Sequence, residues 1–118
     1  MLNEESKRQL KEAESLNNKP IYEISFEEAR NQYIKSKDIF PLPEVKIKHI
    51  ENKKIFVNNT EINIRIFSNS NDLIQPLLVN FHGGGWVLGD LDADDSMCRV
   101  LSKLSGRKVI SIEYRLSP

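Results

Sequence analysis

Three consecutive glycines directly after an apolar run constrain this chain most strongly. In "PLLVNFHGGGWVLGD", Gly83, Gly84 and Gly85 account for three of only 5 glycines in 118 residues. The nearly continuous apolar run over residues 76–81 is typical of a strand that is covered on both faces. Because adjacent glycines cost much conformational entropy on folding, we expect a loop in which the backbone approaches a ligand closely or adopts positive φ.

The residues that follow the glycines predict a helix and a second strand. The predicted helix covers residues 93–105 and is ended by Gly106. We expect its buried face to carry Ala93, Met97, Val100, Leu101 and Leu104. The β-branched run "KVISIEY", residues 108–114, predicts the next strand. Strand, helix and strand at this spacing predict two parallel strands joined by a right-handed crossover.

Two helices are predicted at the start of the chain. The first covers residues 4–17, where apolar residues recur at helical spacing but form only a thin stripe. The second begins at Ser25 and Glu28, which form an S-x-x-E capping box, and continues to about residue 36.

The pattern then changes to alternation, which predicts an antiparallel hairpin from residues 45–57 and 62–66 around an Asn-rich turn. Pro41 and Pro43 mark the boundary between the helical and the alternating parts. We therefore predict an α/β fold with a helical segment over residues 1–40 and a core over residues 41–118.

Composition and charge exclude several classes of protein. Basic and acidic residues balance at 17 each and the pI is near 6.7, which argues against nucleic acid as a partner. The N-terminus is charged and no apolar run is long, so we expect neither a secretory signal nor a membrane span. One cysteine, Cys98, excludes an internal disulfide. These features predict a cytoplasmic protein.

The glycine run has three possible explanations. A plain tight turn would need fewer glycines. A dinucleotide site would use the G-x-G-x-x-x-G spacing of Gly83, Gly85 and Gly89, with Glu113 as a ribose-binding acid. Four nearby carboxylates would repel its pyrophosphate; they belong to Asp90, Asp92, Asp94 and Asp95. The third explanation is an oxyanion hole, in which successive glycine amides face one developing negative charge.

The stretch "HGGGWVLGDLDADDSMCRVLSKLSGRKVISIEYRLSP" strongly resembles the hormone-sensitive-lipase-like branch of the α/β-hydrolase fold, which contains bacterial esterases and lipases. That family combines HGGG, a following Gly-Asp, a helix with a Cys-Arg pair and a strand ending in D-Y-R-L-A-P-E. The match covers residues 76–118, about a third of the chain. Glu113 stands in place of the usual Asp, and Ser117 in place of the usual Ala.

The resemblance implies a role for each residue of the loop. Gly84 and Gly85 would supply oxyanion-hole amides, and His82 and Gly83 would support and shape the loop. Trp86 would line the acyl or alcohol pocket, although plain packing is an equally good explanation. The two N-terminal helices would form part of a cap over the active site, and an ester would be the substrate. No metal or cofactor is implied.

The resemblance also implies roles for residues outside the loop. Tyr114 and Arg115 match a structural Tyr-Arg pair, and Cys98 is expected to be an inert core residue. His49 is expected to be a packing or surface residue.

The catalytic serine, aspartate and histidine of this family follow the Y-R-L-A-P segment, within which this sequence stops at Pro118. None of its serines stands in G-x-S-x-G. We therefore expect the chain to be inactive alone and to fold poorly or to associate through an unpaired apolar strand edge. A gene remnant, half of a split enzyme and a partial record all fit, and a non-catalytic interaction module is the alternative function.

Overall fold

The computed structural model describes residues 2–36 and 44–118. The chain divides into two compact units, one on each side of residues 37–43. The predicted boundary between residues 40 and 41, with Pro41 and Pro43, lies outside the described residues and stays a prediction.

The N-terminal unit consists of two α-helices and a short 3₁₀ turn. Helix α1 spans Glu4–Ser15, and the side chain of its N-cap Asn3 accepts a hydrogen bond from the Ser6 amide at 2.7 Å. The 3₁₀ turn covers Ile21–Glu23, and helix α2 spans Phe26–Ser36. Among the helices of the described residues, none has the length and apolar character needed to cross a membrane.

The predicted capping box at the start of α2 is confirmed. The Ser25 amide donates to Glu28 Oε2 at 3.0 Å, and the Glu28 amide donates to Ser25 Oγ at 3.2 Å. Each side chain thereby satisfies a backbone donor that the first helical turn leaves free. Helix α1 ends two residues before its predicted end, at Ser15, and its thin apolar stripe contains no buried residue.

The C-terminal unit is a four-stranded mixed sheet with one helix. Strands β1 (His49–Val57), β2 (Thr60–Ser68), β3 (Leu77–Phe81) and β4 (Lys108–Ile112) lie in the order β1-β2-β4-β3, and helix α3 spans Asp95–Ser105. Strand β2 is antiparallel to β1 and β4, whereas β3 is parallel to β4. The α/β class, the hairpin and the βαβ unit predicted from the sequence are all confirmed.

The β1–β2 hairpin turns at two asparagines. Asn58 and Asn59 have φ of +49° and +62°. Asparagine tolerates this left-handed conformation, and the resulting turn matches the right-handed twist of the two strands. The first strand begins at His49, so the predicted start at residue 45 was four residues too early.

Helix α3 packs on one face of the sheet around Phe67, Cys98 and Val109, each of which is 0% exposed. The predicted buried face of this helix was wrong. Its fully buried residues are Cys98 and Ser102, whereas Leu104 is 81% exposed. These two small side chains let the helix approach the strands closely, and Ser102 Oγ donates to the Arg107 carbonyl at 3.0 Å. The larger apolar side chains Met97 and Leu101 therefore lie towards solvent.

An ion-pair network fixes the start of α3 on the sheet. Arg65 of β2 donates from one guanidinium nitrogen to Asp92 at 2.6 Å and to Asp95 at 2.8 Å. Its Nε donates to the Asn52 side chain at 2.8 Å. The Arg65 side chain is only 17% exposed, so solvent screens these contacts less than it would at an open surface. The network ties the first turn of α3 to β2.

Strand β3 is covered on one face only by the described residues. Leu77, Val79 and Phe81 point away from α3 and are 50%, 52% and 64% exposed. The apolar run predicted a strand covered on both faces. Within the described residues, only the face towards α3 is covered. Within the described residues, β3 is the last strand of the sheet, and the unpaired edge stays a prediction.

The core assignment predicts a large difference between two phenylalanines on adjacent strands. Phe67→Ala should lower the free energy of unfolding by about 3–5 kcal/mol, because it removes the largest buried side chain of the core. Phe56→Ala is the matched control, since Phe56 is 73% exposed, and should change it by less than about 1 kcal/mol. Urea unfolding at one protein concentration measures both values, and equal losses would contradict the assigned core.

Candidate functional site

The glycine-rich loop leaves the carboxyl end of β3 in a backbone conformation that favours glycine. Gly84 has φ of +127° and Gly85 has φ of +60°. Trp86 continues the left-handed stretch with φ of +61°, which is uncommon for a bulky residue. The loop therefore turns sharply at the sheet edge where ligands collect in open α/β sheets.

Gly84 has no space for a side chain. A Cβ atom there would lie 2.1 Å from the Leu88 carbonyl oxygen, because the chain folds back on itself. The Gly84 carbonyl accepts hydrogen bonds from the Val87 amide at 3.1 Å and the Leu88 amide at 2.9 Å. At Gly83, in contrast, an added Cβ would meet nothing within 4 Å. The close backbone approach thus requires glycine at position 84 and not at position 83.

The amides of Gly84 and Gly85 are free to bind an external acceptor. Neither N–H group donates a hydrogen bond to any atom of residues 2–36 or 44–118. Gly85 is exposed and Gly84 is half-buried. Two adjacent unpaired amides beside a turn offer hydrogen-bond donors to a negatively charged oxygen.

His82 lies beneath the loop and is 3% exposed. Its Nδ1 lies 2.8 Å from the Gly83 carbonyl oxygen, to which the ring donates a hydrogen bond. Within the described residues, Nε2 is buried without a hydrogen-bond partner. Gly89 packs directly on the ring, because a Cβ at position 89 would lie 2.3 Å from Nδ1. His82 is therefore placed to support the loop, and its role there stays a prediction.

The segment after β4 braces the loop from the other side. The Tyr114 hydroxyl donates to the His82 carbonyl at 2.6 Å, and the two rings stack with centroids 4.3 Å apart. The Ser117 amide donates to the Trp86 carbonyl at 2.7 Å. Sequence reasoning classed Tyr114 as structural without finding these partners, and it missed Ser117, whose contribution comes from its backbone.

Two side chains were expected to have no chemical role: Cys98 lies in the core, and His49 lies at the surface. Cys98 is fully buried, and this burial raises the pKa of its thiol to about 11. His49 is exposed, with Nε2 3.0 Å from the Asn71 side-chain oxygen. Trp86 is 75% exposed, and its predicted place in a substrate pocket stays a prediction. Among the described residues, no group of three His, Cys, Asp or Glu side chains is placed to hold a metal ion.

The acidic residues that bear on a dinucleotide site have structural partners. Asp92 and Asp95, which argued against such a site, pair with Arg65 at the start of α3. Glu113, the candidate ribose-binding acid, accepts a hydrogen bond from the Asn63 side chain at 2.6 Å. Carboxylates at the N-terminus of α3 leave little place for a phosphate, so the geometry favours the oxyanion interpretation of the loop.

Comparison with known proteins identifies relatives of the chain. Residues 78–118 match a family model described as the alpha/beta hydrolase fold. The carboxylic ester hydrolase LipN of Mycobacterium tuberculosis is 48% identical over 58 residues, which are 49% of this chain and 15% of LipN. An arylesterase of Saccharolobus solfataricus is 35% identical over 77 residues, which are 65% of this chain and 25% of the arylesterase.

A solved structure shows a similar fold. A hyperthermophilic esterase from the archaeon Pyrobaculum calidifontis aligns with a TM-score of 0.86 at 29% identity, covering 100% of this chain and 38% of the esterase. The chain therefore spans less than two fifths of the length of each of these three proteins.

The close approach at position 84 predicts different outcomes for two adjacent glycines. Gly84→Ala should lower the free energy of unfolding by at least about 2–3 kcal/mol, because it combines positive φ with a clash against the Leu88 carbonyl. Gly83→Ala should change it by no more than about 1 kcal/mol. Urea unfolding of the two variants provides the comparison, and a tolerated Gly84→Ala would show that the loop takes another path.

The bracing hydroxyl predicts a local effect on the loop. Tyr114→Phe keeps the ring stacked on His82 but removes its hydrogen bond, so it should cost about 1 kcal/mol of stability. Amide hydrogen exchange should accelerate at Val87 and Leu88, whose amides donate to the Gly84 carbonyl, more than in β2. Tyr22→Phe is the control, because Tyr22 is 83% exposed. Unchanged amide exchange rates in the loop would show that the Tyr114 hydroxyl does not hold the loop in place.

Proposed function

We propose an ester-hydrolysing function from one premise: this chain belongs to the hormone-sensitive-lipase-like branch of the α/β-hydrolase fold. In this proposal the chain supplies the oxyanion-binding part of a serine carboxylesterase or lipase. Its substrate is a small-molecule carboxylic ester, and the reaction needs no metal or cofactor.

The two unpaired amides of Gly84 and Gly85 carry the proposal. When a nucleophile attacks an ester carbonyl, the carbonyl oxygen becomes negatively charged, and backbone N–H groups fixed beforehand stabilise that charge. Glycine at both positions keeps side chains away from the oxygen. Removing one such donor typically raises the barrier by about 3–4 kcal/mol.

The remaining loop residues keep the amides in place. His82 is 3% exposed and its Nδ1 is held by the Gly83 carbonyl, so it acts as a loop support and not as the catalytic base. Tyr114 fixes the His82 carbonyl, and Ser117 fixes the Trp86 carbonyl. Trp86 contributes its indole ring to the acyl or alcohol side of the ester pocket.

The nucleophile and its base come from outside these 118 residues. No serine of the chain stands in G-x-S-x-G, the turn that exposes the nucleophile in this fold. In the complete enzyme a serine attacks the ester, a histidine takes the serine proton, and an aspartate orients the histidine. The chain by itself is therefore inactive, because an oxyanion hole without a nucleophile forms no covalent intermediate.

A non-catalytic role is the second candidate, and the missing nucleophile is the observation that favours it. In this case the chain retains the fold as an interaction module. The two candidates differ in whether the loop of this chain supports ester hydrolysis when a serine, aspartate and histidine are supplied. The catalytic and the non-catalytic candidate are equally compatible with the predicted cytoplasmic location.

The deciding experiment replaces the matching region of the arylesterase relative with residues 44–118 of this chain and measures hydrolysis of p-nitrophenyl acetate. The chimera should turn over the ester, and the isolated chain should not. Gly85→Ala in the chimera should lower kcat by about 10²–10³, because it displaces an oxyanion donor.

Gly106→Ala is the matched control for this experiment. Gly85 and Gly106 have φ of +60° and +65°, and an added Cβ meets nothing within 4 Å at either position. The two variants therefore carry similar backbone strain, but Gly106 ends α3 and lies outside the loop. Equal effects on kcat, or a stable folded chimera without activity, would contradict the proposed role.

A further inference from the structure

Asn80 is the single polar residue of strand β3, and its side chain lies on the face of the sheet that α3 covers. It pairs in register with Ser111 of β4, which is 0% exposed. Asn80 Nδ2 donates to Ser111 Oγ at 3.3 Å and to Asp94 Oδ2 at 3.1 Å. A carboxylate only accepts hydrogen bonds, so the nitrogen of the amide faces Asp94. Both amide hydrogens therefore have acceptors inside the fold.

The Asp94 carboxylate is directed to the strand and not to its own helix. Asp94 stands at the N-cap of α3, where an aspartate ordinarily accepts a hydrogen bond from an amide of the first turn. Within the described part of the chain, its side chain makes no such capping bond. Its backbone carbonyl still accepts from the Cys98 amide at 2.9 Å, so the helix begins normally. The side chain of Asp94 thus links helix α3 to strand β3.

This link joins the two ends of the glycine-rich loop. Asn80 lies two residues before His82, and Asp94 directly precedes the first residue of α3. The residues of the loop, Gly84 and Gly85 among them, lie between the two partners. Holding both ends of a loop together restricts the conformations that the chain between them can adopt. The restriction matters most here because glycine has the greatest backbone freedom of any residue.

We infer that Asn80 is a positioning residue for the oxyanion loop, and that its hydrogen bond to Asp94 holds the amides of Gly84 and Gly85 in place. The inference rests on the ester-hydrolysing function proposed above. Asn80 touches no substrate and acts by closing the base of the loop. Misplacing a catalytic group by about 1 Å can lower a rate about 10²-fold. Opening the base should therefore lower kcat more than it changes KM.

The test exchanges donor and acceptor across the contact in the arylesterase chimera. Asn80→Asp is nearly isosteric but sets a carboxylate opposite Asp94, so it should lower kcat about tenfold or more. Asp94→Asn keeps an oxygen that accepts from Asn80 and should change kcat less than about threefold. The double variant N80D/D94N restores the hydrogen bond with its direction reversed, so kcat should return to within about threefold of the unsubstituted chimera.

The kinetic measurement is hydrolysis of p-nitrophenyl acetate, with kcat expressed per active serine as counted by phosphonate titration. This normalisation removes any loss of folded protein from the comparison. Asn63→Asp is the matched control, because Asn63 of β2 also donates to a carboxylate, that of Glu113, at 2.6 Å, but lies outside the loop base. It should change kcat less than about twofold.

Three kinetic results would overturn the inference. The first is an unchanged kcat in Asn80→Asp, and the second is an equal loss in Asn63→Asp. The third is a double variant no more active than Asn80→Asp, since a hydrogen bond of either direction should close the loop base.

Amide hydrogen exchange in the 118-residue chain tests the same contact without catalysis. Asn80→Asp should accelerate exchange at Val87 and Leu88, whose amides donate to the Gly84 carbonyl, more than in β2, and the double variant should reverse this. An unsubstituted chimera that folds without activity would refute the proposed function, and exchange then decides on the contact alone. Unchanged rates at Val87 and Leu88 in Asn80→Asp would overturn the positioning role.

Discussion

The backbone of the loop depends on the absence of a side chain at Gly84. The Leu88 carbonyl lies so close that a Cβ atom would overlap it at 2.1 Å. Two hydrogen bonds to the Gly84 carbonyl close the turn, and the positive φ of Gly85 follows from it. The turn uses the carbonyl of Gly84 and not its amide, and neither the Gly84 nor the Gly85 amide has a hydrogen-bond partner among residues 2–36 and 44–118. The proposed oxyanion binding depends on this arrangement. The Gly84 carbonyl closes the turn, so the two amides remain available for a substrate oxygen.

The parallel pairing of β3 with β4 determines where the loop and its neighbouring segment meet. The parallel register sets Phe81 of β3 opposite Ile112 of β4, so both strands reach the same edge together. Two residues beyond the end of β4, Tyr114 reaches the His82 carbonyl and stacks on its ring. A different register would move the hydroxyl away from the loop. The loop and the segment that braces it are therefore consequences of one strand pairing.

Local patterns in the sequence predicted the α/β class, the hairpin, the capping box and the βαβ unit, because each depends on neighbouring residues. The buried face of α3 was predicted incorrectly, since periodicity selects large apolar residues and the structure buries Cys98 and Ser102. The contacts of Tyr114 and the Ser117 amide were not predictable, because they join residues about thirty positions apart in the chain. The roles of Gly84 and Gly85 came from the motif and its family resemblance; the structure adds the φ values and the unpaired amides.

The most direct measurement is a crystal structure of the arylesterase chimera carrying residues 44–118, with its serine phosphonylated by an ester-like phosphonate. The phosphoryl oxygen then occupies the position of the charged oxygen in the tetrahedral intermediate. The account predicts that this oxygen lies about 2.7–3.1 Å from the amide nitrogens of both Gly84 and Gly85. A phosphoryl oxygen turned towards solvent, or held by other donors while these two amides stay unpaired, would contradict it.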